Sequence, residues 1–115
     1  VWFGGLAAVH QFSRIGRNAF IGGGAIVVED VIPFGSVVGN HAKLSGLNMV
    51  GLKRRGFDKS QLMQIRSAYK AVFFGDGLFR ARLSKADQDF ADQPLAMELI
   101  SFIQAGGDRP ICKPA

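Results

Sequence analysis

The stretch from Phe3 to Val27, FGGLAAVHQFSRIGRNAFIGGGAIV, decides the fold because it repeats every six residues. A bulky apolar residue stands at every sixth position, and a smaller residue follows it four places later. The bulky series is Phe3, Val9, Ile15, Ile21 and Val27. The smaller series is Ala7, Ser13, Ala19, Ala25 and Val31. A period of six fits neither the α-helix nor plain strand alternation. It predicts a parallel β-helix built from hexapeptide repeats.

Three short strands would form one triangular coil of about 18 residues, with the large residue on the axis and the smaller one at the corner. Gly4, Gly16 and Gly22 are expected to let the chain turn without a Cβ clash. The alternative is a Gly-rich β-meander with an accidental period. A coil buries its faces only against neighbouring coils, and the rhythm is already running at Val1. We therefore expect earlier coils in the full-length protein.

Helical periodicity replaces the six-residue rhythm after Pro33, which removes a backbone donor from the ladder. A last extended stretch over residues 36–39 is expected to precede about three helices. Their predicted limits are Asp58 as cap to Gly75, Leu78 to Phe90 with Leu78, Leu83, Ala86 and Phe90 inward, and Pro94 to Gly106. We predict the last coils of a β-helix over residues 1–43 and a small α-helical C-terminal domain over 44–115.

Composition limits the possible partners. The net charge of +5 and the pI of 9.9 favour an anionic ligand or an acidic protein. Nucleic acid is disfavoured because the Phe residues mostly follow apolar patterns instead of alternating with basic residues. Cys112 is the single cysteine and is expected, without chemistry, in a loose tail. Apolar runs are far shorter than the ~20 residues of a membrane span, so we expect a soluble cytoplasmic protein.

The chain has few residues suited to catalysis. His10 and His41 are the only histidines, too few for a zinc site, and no nucleophile turn is present. We therefore expect no complete catalytic centre within this chain. His10 follows a bulky position and is predicted to point outward. It is either solvated or donates a hydrogen bond to a ligand in a cleft between subunits.

A basic run lies just before the first predicted helix. Lys53, Arg54 and Arg55 stand between Gly51 and Gly56. Such a run either forms a solvated surface or binds phosphate, because a guanidinium donates paired hydrogen bonds to phosphate oxygens. The sequence alone leaves both interpretations open.

Three motifs carry a family resemblance: GGLAAVHQF (4–12), GNHA (39–42) and GLNMVGLKRRGF (46–57), joined by the tail RPICK (109–113). In these motifs the chain resembles the C-terminal part of the bacterial UDP-N-acetylglucosamine O-acyltransferases of lipid A biosynthesis. The resemblance covers essentially the whole chain. It implies that the parallel β-helix is left-handed.

The resemblance also implies a reaction. An (R)-3-hydroxyacyl chain would pass from acyl carrier protein to the 3-hydroxyl of UDP-N-acetylglucosamine, in a homotrimer with clefts between neighbours and without metal or cofactor. The general base would be a histidine outside this chain, so the chain alone is expected to be inactive. The residues that match substrate-binding positions are His10, Gln11, His41, Asn48, Arg54 and Arg55. Gly23 matches the position that limits acyl length, and Val50 stands where some relatives carry an acid.

Two alternatives stay open at this point. One is the related acyltransferase that acts on the glucosamine nitrogen, although that family does not carry the motif over 51–57. The other is a non-catalytic trimerisation or scaffold module that keeps the fold without the reaction.

Overall fold

A computed structural model describes all residues from 1 to 115 as six short strands followed by four helices. The strands are β1 (Trp2–Phe3), β2 (Ala8–Val9), β3 (Phe20–Ile21), β4 (Ile26–Val27), β5 (Gly35–Val38) and β6 (Lys43–Leu47). The helices are α1 (Met49–Arg54), α2 (Lys59–Phe73), α3 (Phe79–Asp89) and α4 (Pro94–Ala105). None of these helices is long and apolar enough to cross a membrane.

The strands stack in parallel columns, as the six-residue rhythm predicts. The first column runs β1, β3, β5, and the second pairs β2 with β4. An isolated parallel bridge between Ile15 and Val31 marks a third column. Three parallel columns in one chain describe a coil with three faces, in which each strand pairs with the strand one turn later.

The corners of the coil follow the same period in their backbone angles. Leu6, Phe12, Asn18 and Gly24 all have positive φ, at 61°, 70°, 59° and 72°. The expectation that Gly4, Gly16 and Gly22 make the turns is therefore wrong, since three of these four corners carry a side chain in the left-handed region. That conformation costs roughly 1–2 kcal/mol per residue, and the surrounding ladders hold it in place.

Gly4 and Gly16 serve close contact between coils instead. A Cβ on Gly4 would overlap the backbone of Gly23, and one on Gly16 would overlap Pro33. Removing the side chain lets adjacent coils approach within hydrogen-bonding distance. Gly4 and Gly16 are thus required by stacking, and only Gly24 among the first four corners uses glycine's access to positive φ.

The coil shortens where the rhythm stops at Pro33. Trp2 pairs with Phe20, 18 residues later, but Ile15 pairs with Val31, two residues short of a full turn. Beyond this point β6 turns back and pairs antiparallel with β5, which the sequence did not predict. The antiparallel strand ends the stack of parallel coils and leads directly into α1.

The three predicted helices are present as α2, α3 and α4. Asp58 caps α2 through a reciprocal pair of hydrogen bonds with Gln61, and Pro94 opens α4. Two details were wrong. The basic run begins inside an additional short helix, α1, and Leu78 is 79% exposed at the N-cap of α3 instead of facing inward.

One hydrophobic cluster of 18 buried residues joins the coil interior to α2, α3 and α4. A second cluster of four buried residues, Phe34, Leu52, Leu62 and Ile65, fixes α1 against the coil end and α2. Coil and helices therefore share a core, and the division at residue 43 stays a prediction.

Cys112 is buried, so the expectation of a loose tail was wrong. Its backbone N–H donates to the carbonyl of Asp30 at 2.8 Å, and Ile111 bridges Asp30 in parallel register. The C-terminal segment is thus hydrogen-bonded along the coil. Burial, with the nearby charge of Glu29, raises the pKa of the Cys112 thiol to about 11.

We expect Cys112 to react at least ~100-fold more slowly with iodoacetamide in the native protein than after denaturation, because the thiolate is the nucleophile and its fraction falls with the raised pKa. Stability should also fall between pH 9 and 11. In that window the unfolded thiol has lost its proton while the buried one retains it. Labelling followed by mass spectrometry measures the first effect, and native labelling at the denatured rate would contradict it.

Candidate functional site

A cleft of about 390 Å³ lies between the first strand column and α1. It is the structure's best candidate for a ligand site, because apolar walls and a few polar groups meet in it. Its lining residues are Trp2, Phe20, Ser36, Leu47, Asn48, Met49, Val50, Gly51 and Arg54.

The wall on the coil side is built by stacking. Trp2 pairs with Phe20 and Phe20 with Ser36, so three outward side chains lie above one another along the column. These three side chains point outward because successive residues of a strand face opposite sides. Phe20 and Ser36, for example, precede the buried residues Ile21 and Val37. Trp2 and Phe20 are not among the site residues predicted from the sequence. The available signal was an outward aromatic residue repeated one coil later.

The opposite wall is the short helix α1. Asn48 is its N-cap, and the Asn48 side-chain oxygen accepts a hydrogen bond from the Gly51 N–H. Val50 also lines the cleft, where it is 66% exposed and apolar, so it offers no charge to a ligand.

The three cations of the basic run are exposed at the end of α1. Lys53 and Arg54 lie in its last turn, where positive charge complements the helix dipole, and Arg55 is the C-cap. None of the three forms an ion pair within the chain. Only Arg54 lines the cleft. Its guanidinium is therefore available to an anionic ligand.

The other predicted site residues lie elsewhere. His10 and Gln11 are exposed and follow β2 in the second column, where the His10 Nδ1 lies 2.9 Å from the Gln11 carbonyl. His41 is exposed with φ 57°, just after the end of that column at Asn40. The structure thus brings together Asn48 and Arg54, but it does not bring the two histidines into their cleft.

Gly23 occupies the outer edge of the turn between the first two columns. It is exposed, and a Cβ built there would lie 3.3 Å from the Gly5 carbonyl oxygen of the preceding coil. This glycine does not have positive φ, unlike its neighbour Gly24.

A buried charge cluster that the sequence did not predict lies away from the cleft. Asp30 is 1% exposed, and its carboxylate accepts from the Arg14 Nε at 2.7 Å and from the Arg109 Nε at 3.2 Å. Arg14 also donates to the Phe102 carbonyl of α4 and stacks 4.2 Å from the Phe102 ring centroid. These contacts join residues far apart in sequence. They fasten coil, helix and tail, and they do not line the cleft.

A second ion pair fastens the coil to α4. Arg17 donates two hydrogen bonds of 2.8 Å to the carboxylate of Glu98, a paired geometry that also raises the pKa of Arg17. Neither residue lines the cleft. We therefore assign the Arg17–Glu98 pair a structural role.

Stacked six-residue coils that end in an antiparallel strand and helices define the class of hexapeptide-repeat proteins with a helical C-terminal part. The family model described as "Udp N-acetylglucosamine O-acyltransferase; Domain 2" matches residues 30–112. The chain belongs to this family.

Individual relatives agree with that assignment. An acyl-[acyl-carrier-protein]–UDP-N-acetylglucosamine O-acyltransferase of Sinorhizobium medicae is 49% identical over 96% of this chain, and one of Agrobacterium fabrum is 48% identical. The crystal structure of an Arabidopsis UDP-N-acetylglucosamine acyltransferase superposes with a TM-score of 0.89 at 37% identity over 96% of this chain and 42% of its own. The chain spans 41% of the length of the two bacterial relatives.

Proposed function

We propose that the full-length protein transfers an (R)-3-hydroxyacyl chain from acyl carrier protein to the 3-hydroxyl of UDP-N-acetylglucosamine, the first step of lipid A biosynthesis. The relatives are named for O-acyl transfer, which favours oxygen over the glucosamine nitrogen as the acceptor. It also favours an enzyme over a non-catalytic scaffold module.

The proposal depends on one observation: a chain of this family has a cleft beside α1 that suits a nucleotide sugar. Arg54 lacks an anionic partner in the chain and stands beside the apolar faces of Trp2 and Phe20. A nucleotide sugar combines a flat base with a diphosphate, and these two kinds of group need an apolar wall and a fixed guanidinium. Arg54 would pair with the diphosphate, with Arg55 adding charge at its rim.

The second column supplies the remaining proposed ligands. His10, Gln11 and His41 lie outside the Arg54 cleft of the same chain, and a cleft between neighbouring chains would bring both groups to one substrate. This separation supports a homotrimer of left-handed β-helices with clefts between neighbours. The general base would be a histidine of an earlier coil.

The proposed partners agree with the charge of the chain. Acyl carrier protein would approach as an acidic surface, and a net charge of +5 favours such an encounter. We place the reaction in the cytoplasm, where both donor and nucleotide sugar would be available to the enzyme.

Substitution of Arg54 tests the proposal. In the full-length protein Arg54→Ala should weaken UDP-N-acetylglucosamine binding by roughly 1.5–3 kcal/mol, the range for a hydrogen bond to a charged group. Arg54→Lys should recover little, because one ammonium does not reproduce two parallel hydrogen bonds. Isothermal calorimetry gives the affinity, and mass spectrometry of the sugar product gives the position of acylation.

The matched control is Arg80→Ala, since Arg80 is 91% exposed on α3 with only a 4.0 Å contact to Asp108. It should leave binding unchanged. If Arg54→Ala binds UDP-N-acetylglucosamine as tightly as the wild type does, the basic run is a solvated surface and not a phosphate site. Acylation of the free amine of a glucosamine nucleotide in place of the 3-hydroxyl of UDP-N-acetylglucosamine, or no transfer by the wild-type protein, would refute the proposed reaction.

A further inference from the structure

Ser36 is the third outward residue of the first strand column, after Trp2 and Phe20, and it lines the same cleft. Its neighbour Val37 is fully buried, so strand alternation directs the Ser36 side chain to the outside of the coil. The wall of the cleft therefore changes from aromatic rings to a small hydroxyl in the last coil, next to the strand that leads into α1.

The pairing of β5 with β6 is irregular at Ser36. Ser36 pairs with Gly46 but Val37 pairs with Leu44, so Ser45 is skipped, and its hydroxyl donates to the Ser36 carbonyl at 3.2 Å. Such β-bulges occur often beside functional sites, where they change the direction of a side chain. Gly46 has φ 139°, and a Cβ built there would meet no atom within 4 Å. The partner strand therefore places no side chain against Ser36.

The hydroxyl of Ser36 has no hydrogen-bond partner within the chain. The other polar side chains that line the cleft are Asn48 and Arg54. Asn48 uses one N–H on the Asn18 carbonyl and one lone pair on the Gly51 N–H, which leaves one of each for a ligand. Arg54 carries the charge that a diphosphate needs. Ser36 adds a neutral hydroxyl on the aromatic side of the cleft.

A neutral hydroxyl beside an aromatic wall suits the edge of a flat base. A base that packs on Phe20 has carbonyl oxygens at its rim, and an oxygen that loses water without gaining a donor costs free energy. We propose that Ser36 is a specificity-determining residue: its hydroxyl donates a hydrogen bond to a carbonyl oxygen of the pyrimidine ring of UDP-N-acetylglucosamine, while Arg54 pairs with the diphosphate. This inference rests on the proposed function for its ligand.

Threonine and valine at position 36 separate the hydroxyl from the volume of the side chain. Both residues are β-branched, nearly equal in size and favoured in strands, so both variants should fold. In the full-length protein Ser36→Thr should bind UDP-N-acetylglucosamine about fivefold more tightly than Ser36→Val, the factor expected for one neutral hydrogen bond. Ser36→Ala should bind about fivefold more weakly than wild type. Isothermal calorimetry measures these affinities, and equal affinity of the threonine and valine variants would overturn the proposal.

Replacing one carbonyl oxygen of the ligand at a time identifies the partner of the hydroxyl. Sulfur is a weak acceptor, so the 2-thio and 4-thio analogues of UDP-N-acetylglucosamine each lose the hydrogen bond of the replaced oxygen. With one of these analogues Ser36→Ala should cause no further loss, and with the other the loss of about fivefold should remain. A full loss with both analogues would mean that the hydroxyl binds another part of the ligand, and the proposal would be wrong.

Ser101→Ala is the matched control, since Ser101 is an exposed serine of α4 that does not line the cleft. It should leave the affinity for all three ligands unchanged. If the wild type binds UDP-N-acetylglucosamine and Ser36→Ala binds it equally well, the role of Ser36 fails and the proposed function stands. If the wild-type protein binds no UDP-N-acetylglucosamine, both fail.

Discussion

Asp30→Ala should lower the free energy of unfolding of the full-length protein by about 3 kcal/mol, the lower end of the range for breaking a buried ion pair. The carboxylate is almost completely buried, but its partners Arg14 and Arg109 keep 30% and 41% of their side-chain surface exposed. Partial solvation of the guanidinium groups after the substitution is the reason for choosing the lower end.

The size of the effect follows from how many groups depend on this carboxylate. It accepts from the backbone N–H of Arg14 at 2.8 Å as well as from two guanidinium groups. Removal of the carboxylate takes away the acceptor of the Arg14 backbone N–H. It also leaves the guanidinium groups of Arg14 and Arg109 at the edge of the core without their anion. Arg14 also reaches Phe102 of α4, so coil, helix and tail should loosen together.

Urea unfolding at fixed protein concentration measures this change. Asp108→Ala is the matched control, since Asp108 is fully exposed and lies 4.0 Å from Arg80, and it should change stability by less than about 0.5 kcal/mol. A loss below about 1 kcal/mol for Asp30→Ala would mean that the cluster is solvated and does not fasten the tail. High salt should reduce the effect only slightly, because buried pairs are poorly screened.

The coil and the long helices were predictable because their signals are local. The period of six is visible in the sequence from Phe3 to Val27. The capping residue Asp58 marks the start of α2, and Pro94 marks the start of α4. Such patterns depend on neighbours in sequence. The structure agrees with them closely.

The features that were missed depend on contacts between distant residues. Asp30 becomes a buried anion only because the tail returns to place Arg109 and Cys112 beside it. α1 has six residues, too few to show a helical period, and it forms because Leu52 packs into the core next to Phe34. Nothing in the local sequence signals either arrangement.

The candidate site was predictable in part for the same reason. The basic run was visible in the sequence, and Arg54 does line a cleft. Its aromatic wall required the pairing of Trp2 with Phe20, which becomes evident only once residues 18 apart are placed on the same face. The family resemblance supplied residue roles that geometry within one chain does not test.

Gly23→Met should reduce kcat/KM of the full-length protein for a long 3-hydroxyacyl donor by about 100-fold and shift its preference to a shorter one. The resemblance places this residue at the end of the acyl slot, where glycine leaves room for a long chain. Each methylene excluded from an apolar slot forfeits roughly 0.8 kcal/mol, so a loss of three to four methylenes accounts for the factor. Parallel assays with short and long acyl carrier proteins measure the ratio.

The competing explanation is that Gly23 is glycine only because the backbone turns there. The left-handed φ of this turn belongs to Gly24, at 72°, so the turn itself does not require glycine at position 23, and a Cβ there would lie 3.3 Å from the Gly5 carbonyl oxygen of the preceding coil. A methionine at position 23 would therefore extend outward with a small backbone adjustment. Gly24→Ala is the matched control, because strain at positive φ should cost about 1 kcal/mol of stability and affect both donors equally. A Gly23→Met enzyme whose ratio of short to long donor matches that of Gly24→Ala would show that this glycine sets no acyl length.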